Sequence, residues 1–246
     1  RIVAYPIIQR DLKTVIMEDL EITGHKQAEL VSSWMRERMK DTLVVANNPY
    51  MAKSVEVTQK NKEYQGFLRY LEMVAAEYGY MGAFVSNEEG VITVSTFEKI
   101  VGNNISKTDY FRNAIKGKTF TTGVVPSETP LLNEYGELEV DLPTMLVAAP
   151  LKDSDENIIG VVALRIHLGI LSNLMLSNKF GKTGETYLVN KDGFMLTESR
   201  FSKHLKKEGI IQKRSALELR LVNPETGELT TGIKQCIAGI NGSDAN

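Results

Sequence analysis

The sequence predicts an α+β chain: a long N-terminal helix, then two units of antiparallel sheet with packed helices, the second lacking its closing strands. Three observations predict it. Apolar residues recur at helical spacing from Ile8 to Leu43. Two short hairpins, AFVSNEEGVITVS from Ala83 and TYLVNKDGFMLTES from Thr186, share one pattern of apolar strand, polar turn ending in an acidic residue and glycine, alternating strand and serine. Between them, ENIIGVVALRIHLGILSNLMLSN reads as a buried strand and a short apolar helix that join one unit to the next.

Composition excludes several function classes. With 246 residues, 42% of them hydrophobic, and a net charge of -2, the chain has enough apolar side chains for folded domains. It has no long basic run to follow a phosphate backbone, so nucleic acid is not an expected partner. A single cysteine, Cys236, cannot close an internal disulfide, and His25, His167 and His204 are scattered; neither a metal nor a cofactor is expected. No apolar run reaches the roughly 18 residues of a membrane-spanning helix. Because the chain opens at Arg1 rather than methionine, it reads as a piece of a longer protein, and the lack of a membrane segment within it argues little for a cytoplasmic home.

Taken in order, Ile8, Leu12, Val15, Ile16, Leu20, Leu30, Val31, Trp34, Met35, Met39 and Leu43 mark one face of the first helix. At about 1.5 Å per residue this spine would exceed about 50 Å; two helices broken at Gly24 are the alternative. Asn47, Asn48 and Pro49 end it. A second amphipathic helix follows over about Asn61 to Tyr78, then the first hairpin. Ser106 is the expected cap of a helix reaching Lys116, in which Tyr110, Phe111, Ala114 and Ile115 stack. Strands are expected at Phe120 to Val125, Thr144 to Pro150 and Ile158 to Leu168. Between the first two lies VPSETPLLNEYGELEVDLP, a loop long enough to lid a pocket. Helix, hairpin, helix and three strands describe a PAS-like unit. After Phe201 the text reads as helix and loop, at Ala216 to Leu221 and Thr231 to Ile237.

Arg165 is the most informative residue. Strand alternation puts Ile159, Val161, Ala163, Arg165 and His167 on one face, with Val162, Leu164, Ile166 and Leu168 on the other. Both faces begin apolar, so the strand is expected to be covered on both sides, and a cation there requires a partner. A structural ion pair with Glu128 or Glu134 is one reading. The other is a ligand carboxylate, which a guanidinium grips with two parallel hydrogen bonds.

The order of long helix, NPYM, hairpin, SKTDYFRNAIKGKTF, TMLVAAPLKD, NIIGVVALRIHL and GKTGETYLVNKDGFMLTESRF resembles the double Cache domains, the tandem PAS-like extracytoplasmic sensors of bacterial and archaeal receptors. The resemblance covers nearly the whole chain. It implies a spine helix over 1–56, a membrane-distal unit over 57–168 that holds a small ligand, and a joining helix with an incomplete membrane-proximal unit over 169–246. It implies a histidine kinase as parent, with a chemoreceptor or nucleotide cyclase as alternatives. In the family's amino-acid-binding branch an Arg precedes a Trp-Tyr pair, a Tyr-x-Asp follows the next strand, and the last strand bears an Asp. Here Tyr110 and Phe111 match the aromatic pair, but Thr108 stands near the expected Arg, Pro126 to Glu128 replace Tyr-x-Asp, and Arg165 replaces the Asp. A small organic acid is therefore expected rather than an amino acid, held by Arg165, with Tyr110, Phe111, Arg112, Ser127, Glu128 and Met145 around it.

Two other functions compete. An enzyme would need a nucleophile beside a base, and no G-x-S-x-G elbow, zinc-ligand cluster or framed carboxylate pair is present, so no catalytic residue is expected. Gly181-Lys182-Thr183 is not a phosphate loop, because Leu176 stands where its first glycine belongs. A ligand-free module that pairs with a second copy through the N-terminal helix is the remaining alternative.

Overall fold

The computed structural model describes residues 4–127, 130–133, 136–177 and 183–239. The first helix, α1 (Ala4–Ala46), is continuous through Gly24, so the two-helix alternative does not hold. A Cβ at Gly24 would meet nothing within 4 Å, and one poor helix former in a helix this long costs only about 1 kcal/mol. The chain divides into two compact units, one of Met35–Leu168 and one of Arg1–Trp34 with Gly169–Asn246.

In the Met35–Leu168 unit, a short 3-10 helix (Met51–Val55) leads to α2 (Tyr64–Tyr78). Tyr64, Phe67, Leu71, Val74 and Ala75 give α2 one buried face. It stops at Gly79, whose left-handed backbone (φ 70°) turns the chain directly into a strand. The strands follow as β1 (Tyr80–Asn87), β2 (Ile92–Ser95), then α3 (Asp109–Ala114), β3 (Phe120–Thr121), β4 (Val125–Pro126), β5 (Leu131–Leu132), β6 (Leu138–Glu139), β7 (Pro143–Lys152) and β8 (Ile158–His167). The main sheet is antiparallel in the order β2-β1-β8-β7-β3, with β4 also pairing β7. The central strands β7 and β8 are built around the apolar runs Met145–Leu151 and Val161–Leu164 and are buried on both faces along them. α2 packs on β1 and β2. On the face bearing Val161 and Ala163, a core of Phe84, Ile92, Leu146 and Ala148 is closed by Ile105, Phe111 and Ala114.

Two local expectations need correction. α3 begins at Asp109 rather than Ser106, because Thr108 takes the extended backbone of a cap and its hydroxyl accepts the Phe111 N–H at 3.4 Å. The long loop is a β5–β6 hairpin on a stapled base. Ser127 N–H donates to the Leu142 carbonyl at 2.8 Å, and Leu142 N–H donates to the Ser127 hydroxyl at 3.1 Å.

In the other unit, α4 (Gly169–Ser177), α5 (Ser202–Lys207) and α6 (Thr231–Ile237) are the helices that follow. The second hairpin forms only a narrow ladder, bridged at Val189 and Met195. Residues 216–221 are not helical. Leu217, at φ 66°, lies in a turn in which the Leu219 N–H donates to the Ser215 carbonyl, and from Leu219 on the chain runs beside the hairpin: the Met195 N–H donates to the Leu219 carbonyl and the Leu221 N–H to the Gly193 carbonyl. Gln27 of α1 donates its side-chain amide to the Thr186 hydroxyl at 2.8 Å, and Thr186 donates to the Met175 carbonyl at 3.0 Å.

Candidate functional site

Register decides what surrounds Arg165. It lies opposite Gly82 on β1 and Leu146 on β7, and one step toward the strand end His167 lies opposite Thr144. Directly opposed residues of antiparallel strands point to the same face, so Gly82, Leu146 and Thr144 share the Arg165 face. The half-buried guanidinium donates from Nη1 to the Thr144 hydroxyl at 3.2 Å. Gly82 leaves room for the Thr96 hydroxyl, which a Cβ at that position would meet at 2.8 Å. Thr96 in turn accepts the Ala83 N–H at 2.9 Å.

Above this floor, α3 supplies the aromatic residues. Phe111 is buried, at 4% exposure, in the core that includes Leu146 and Ala163. Tyr110 is half-buried, packs against the same core and meets Phe84 edge-on, with ring centroids 6.3 Å apart. Tyr110, Phe111 and Arg165 thus belong to one face of the sheet. Arg112 does not join them: one step of about 100° beyond Phe111 turns it outward, and it is exposed.

The remaining sequence candidates separate. Ser127 is buried at 1% exposure with its hydroxyl engaged by the Leu142 N–H, which makes it a loop staple. Met145 lies opposite Ile166 and so faces away from Arg165, into the other side of the core. Glu128, and Glu134 as an alternative partner for Arg165, lie outside the described residues. Sequence reasoning missed Gly82, Thr144 and Leu146, because only the pairing of distant strands brings them beside Arg165.

A second polar cluster lies in the other unit. Glu198 accepts hydrogen bonds from the Ser202 hydroxyl (2.9 Å), the Ser215 hydroxyl (2.8 Å) and N–H (3.1 Å), and the Ala216 N–H (3.3 Å). Glu185 accepts from the Ser199 hydroxyl and the Arg200 N–H, at 2.8 and 2.9 Å. These carboxylates are saturated by donors that tie loops together, which is a structural use. Among the described residues no group of His, Cys, Asp and Glu could hold a metal ion, and no helix is long and apolar enough to cross a membrane.

A family model described as a Cache domain matches residues 8–240. No curated protein matches the sequence. Among solved structures, the isoleucine-bound sensory domain of the Campylobacter jejuni chemoreceptor Tlp3 is similar with a TM-score of 0.60 at 15% identity, over 84% of this chain and 79% of that one. The ligand-binding domain of the Pseudomonas aeruginosa PAO1 amino acid chemoreceptor PctC, in complex with GABA, gives 0.53 at 19% identity, over 73% and 74%. The sensor domain of the Vibrio cholerae histidine kinase DctB gives 0.48 at 16% identity; the match covers 66% of this chain and 61% of that one.

Proposed function

The chain belongs to the Cache domain family, and from that premise we propose that it is the extracytoplasmic sensor of a transmembrane receptor, binding a small organic acid in the Met35–Leu168 unit. The observation that carries this reading is Arg165. A guanidinium set into a sheet face, beside a hydroxyl and on the face that α3 covers with its aromatic residues, suits a carboxylate and disfavours an ammonium. Residues 57–168 would form the membrane-distal sensor, 169–246 the joining helix and membrane-proximal unit, and 1–56 the spine. The parent is a histidine kinase in this reading, with a chemoreceptor or nucleotide cyclase as the alternative.

A ligand acts here by preferring one of two arrangements of sheet and spine, and it shifts their populations only by that difference in affinity. A second reading, a ligand-free pairing module, draws on two observations. Phe111 already occupies the core beneath α3, and Leu12, Val15, Ile16 and Leu20 of α1 are exposed apolar residues that a second copy would cover. A thermal-shift screen of small carboxylates, amino acids and neutral analogues separates the two. A ligand at about 100 times its dissociation constant adds about 2.7 kcal/mol, which raises the midpoint by several degrees. Stabilisation by carboxylates in the parent but not in Arg165→Ala supports the sensor; no stabilisation by any acid favours the pairing module.

A further inference from the structure

About 20 Å along β8 from Arg165, counting six residues back to Ile159, the sheet ends in a second feature. Three segments meet there: the stretch from Ala46 to Thr58, the β1–β2 turn at Asn87 to Val91, and the β7–β8 turn at Lys152 to Glu156. They enclose an open groove of about 1350 Å³. Pockets for single small molecules run to about 300–1,000 Å³, so this groove is larger than one metabolite fills.

Its floor is apolar, made by Ala52, Val55, Val57, Val91 and Ile159. Its rim is acidic: Glu56, Glu88, Glu89, Asp153 and Glu156 face only Lys53 and Lys152. Lys152 is already taken, since its ammonium donates to Glu156 at 2.6 Å. The Asn157 side-chain amide and nearby backbone N–H groups hold Asp153 below the usual carboxylate range, so it stays charged. Among the described residues, the Glu56, Glu88 and Glu89 side chains make no hydrogen bond or ion pair.

The walls are set in place before anything binds. Asn87 accepts the Val91 N–H at 2.9 Å across one turn, and Asp153 accepts the Asp155 and Asn157 N–H groups at 2.8 and 2.9 Å across the other. Gly90, at φ 83°, lies so close to Ser106 that a Cβ would meet the Ser106 backbone nitrogen at 2.7 Å, and its carbonyl accepts the Ile105 N–H. A groove held this way does not have to order itself around a partner.

We propose that this groove docks an extended, cationic segment of a partner protein, in which Lys or Arg alternates with apolar residues. Successive side chains of an extended strand point to opposite sides, so the apolar set faces the floor while the cations lie at the open mouth, where their long stems reach the carboxylates of the rim. Charge complementarity selects the sign, and the apolar floor selects a peptide over a simple polyamine. The site is independent of the Arg165 reading.

The test is fluorescence anisotropy with a labelled alternating Lys-Val octapeptide, its Glu-Val counterpart, and spermidine as competitor. Glu56→Gln, Glu88→Gln and Glu89→Gln together are expected to weaken the Lys-Val peptide at least about tenfold. The helix control Glu18→Gln/Glu21→Gln should leave its affinity unchanged, and the Glu-Val peptide should not bind. The proposal is overturned if the triple variant binds as the parent does, if the helix control weakens binding equally, or if spermidine displaces the peptide at matched charge concentration.

Discussion

Replacing Tyr80 by Phe isolates one bond between the end of α1 and the start of β1. Tyr80, only 7% exposed, donates its hydroxyl to Asp41 Oδ2 at 2.7 Å. The same oxygen accepts from Arg38 Nε at 3.0 Å and lies 3.0 Å from Nη2 in an ion pair, and the Arg38 guanidinium sits 5.6 Å from the Tyr80 ring centroid. The Arg38 and Asp41 side chains are 15% and 19% exposed, so solvent screens the group only in part. A hydrogen bond to a charged acceptor contributes about 1.5–3 kcal/mol, and Asp41 keeps Arg38 when the hydroxyl goes; a loss of about 2 kcal/mol is expected. At about 2–4 °C per kcal/mol for a chain of this size, the midpoint falls by about 4–8 °C.

The pH dependence adds a sign. Burial first, and then the hydrogen bond to Asp41, hold the Tyr80 hydroxyl well above the ordinary tyrosine range. The folded chain therefore keeps a proton that the unfolded chain releases near about pH 10. The contribution is complete below that pH and shrinks by about 1.4 kcal/mol per unit above it. Urea denaturation of parent and Tyr80→Phe should give a gap of about 2 kcal/mol at pH 8 and under about 1 kcal/mol at pH 11. A gap below about 0.5 kcal/mol at pH 8, or one that does not change with pH, refutes the reasoning.

Four further substitutions probe other parts of the fold. Leu164→Ala, at a position with 0% exposure in the central strand, should cost about 2–5 kcal/mol by denaturant titration. Thr108→Ala should cost about 0.5–1 kcal/mol, the low end for a cap because its bond is long at 3.4 Å, whereas Ser106→Ala should stay within about 0.5 kcal/mol. Glu198→Ala leaves the buried Ser215 and Ala216 N–H groups without their acceptor, at about 1–3 kcal/mol each, and should show as early loss of hydrogen-exchange protection around residues 197–216.

What the sequence disclosed was periodic and local. The 3.6-residue repeat placed α2, and unbroken apolar runs placed β7 and β8, because burial on both faces demands such runs. What it concealed was register. Met145 and its neighbour Leu146 are both apolar and on the same strand, yet only Leu146 shares a face with Arg165, and that follows from pairing with a strand far along the chain. Ser127 looked like a loop residue available to a ligand, and its engagement by Leu142 depends on the loop closing across its own base. The 216–221 segment misled in another way: Ala, Leu, Glu and Arg favour helix, yet the chain turns at Leu217 and pairs with the hairpin from Leu219 on, through contacts that no local pattern reveals.

The central claim is that Arg165 holds a ligand carboxylate, and calorimetric titration tests it most directly. The best-stabilising acid from the screen and its neutral amide analogue would each be titrated into the parent and into Arg165→Ala. Two charge-assisted hydrogen bonds at about 1.5–3 kcal/mol each predict that the acid loses at least about 100-fold in affinity on the variant. The amide should bind weakly and nearly equally to both proteins. An acid that binds Arg165→Ala as tightly as it binds the parent would contradict the account and leave Arg165 as a structural cation.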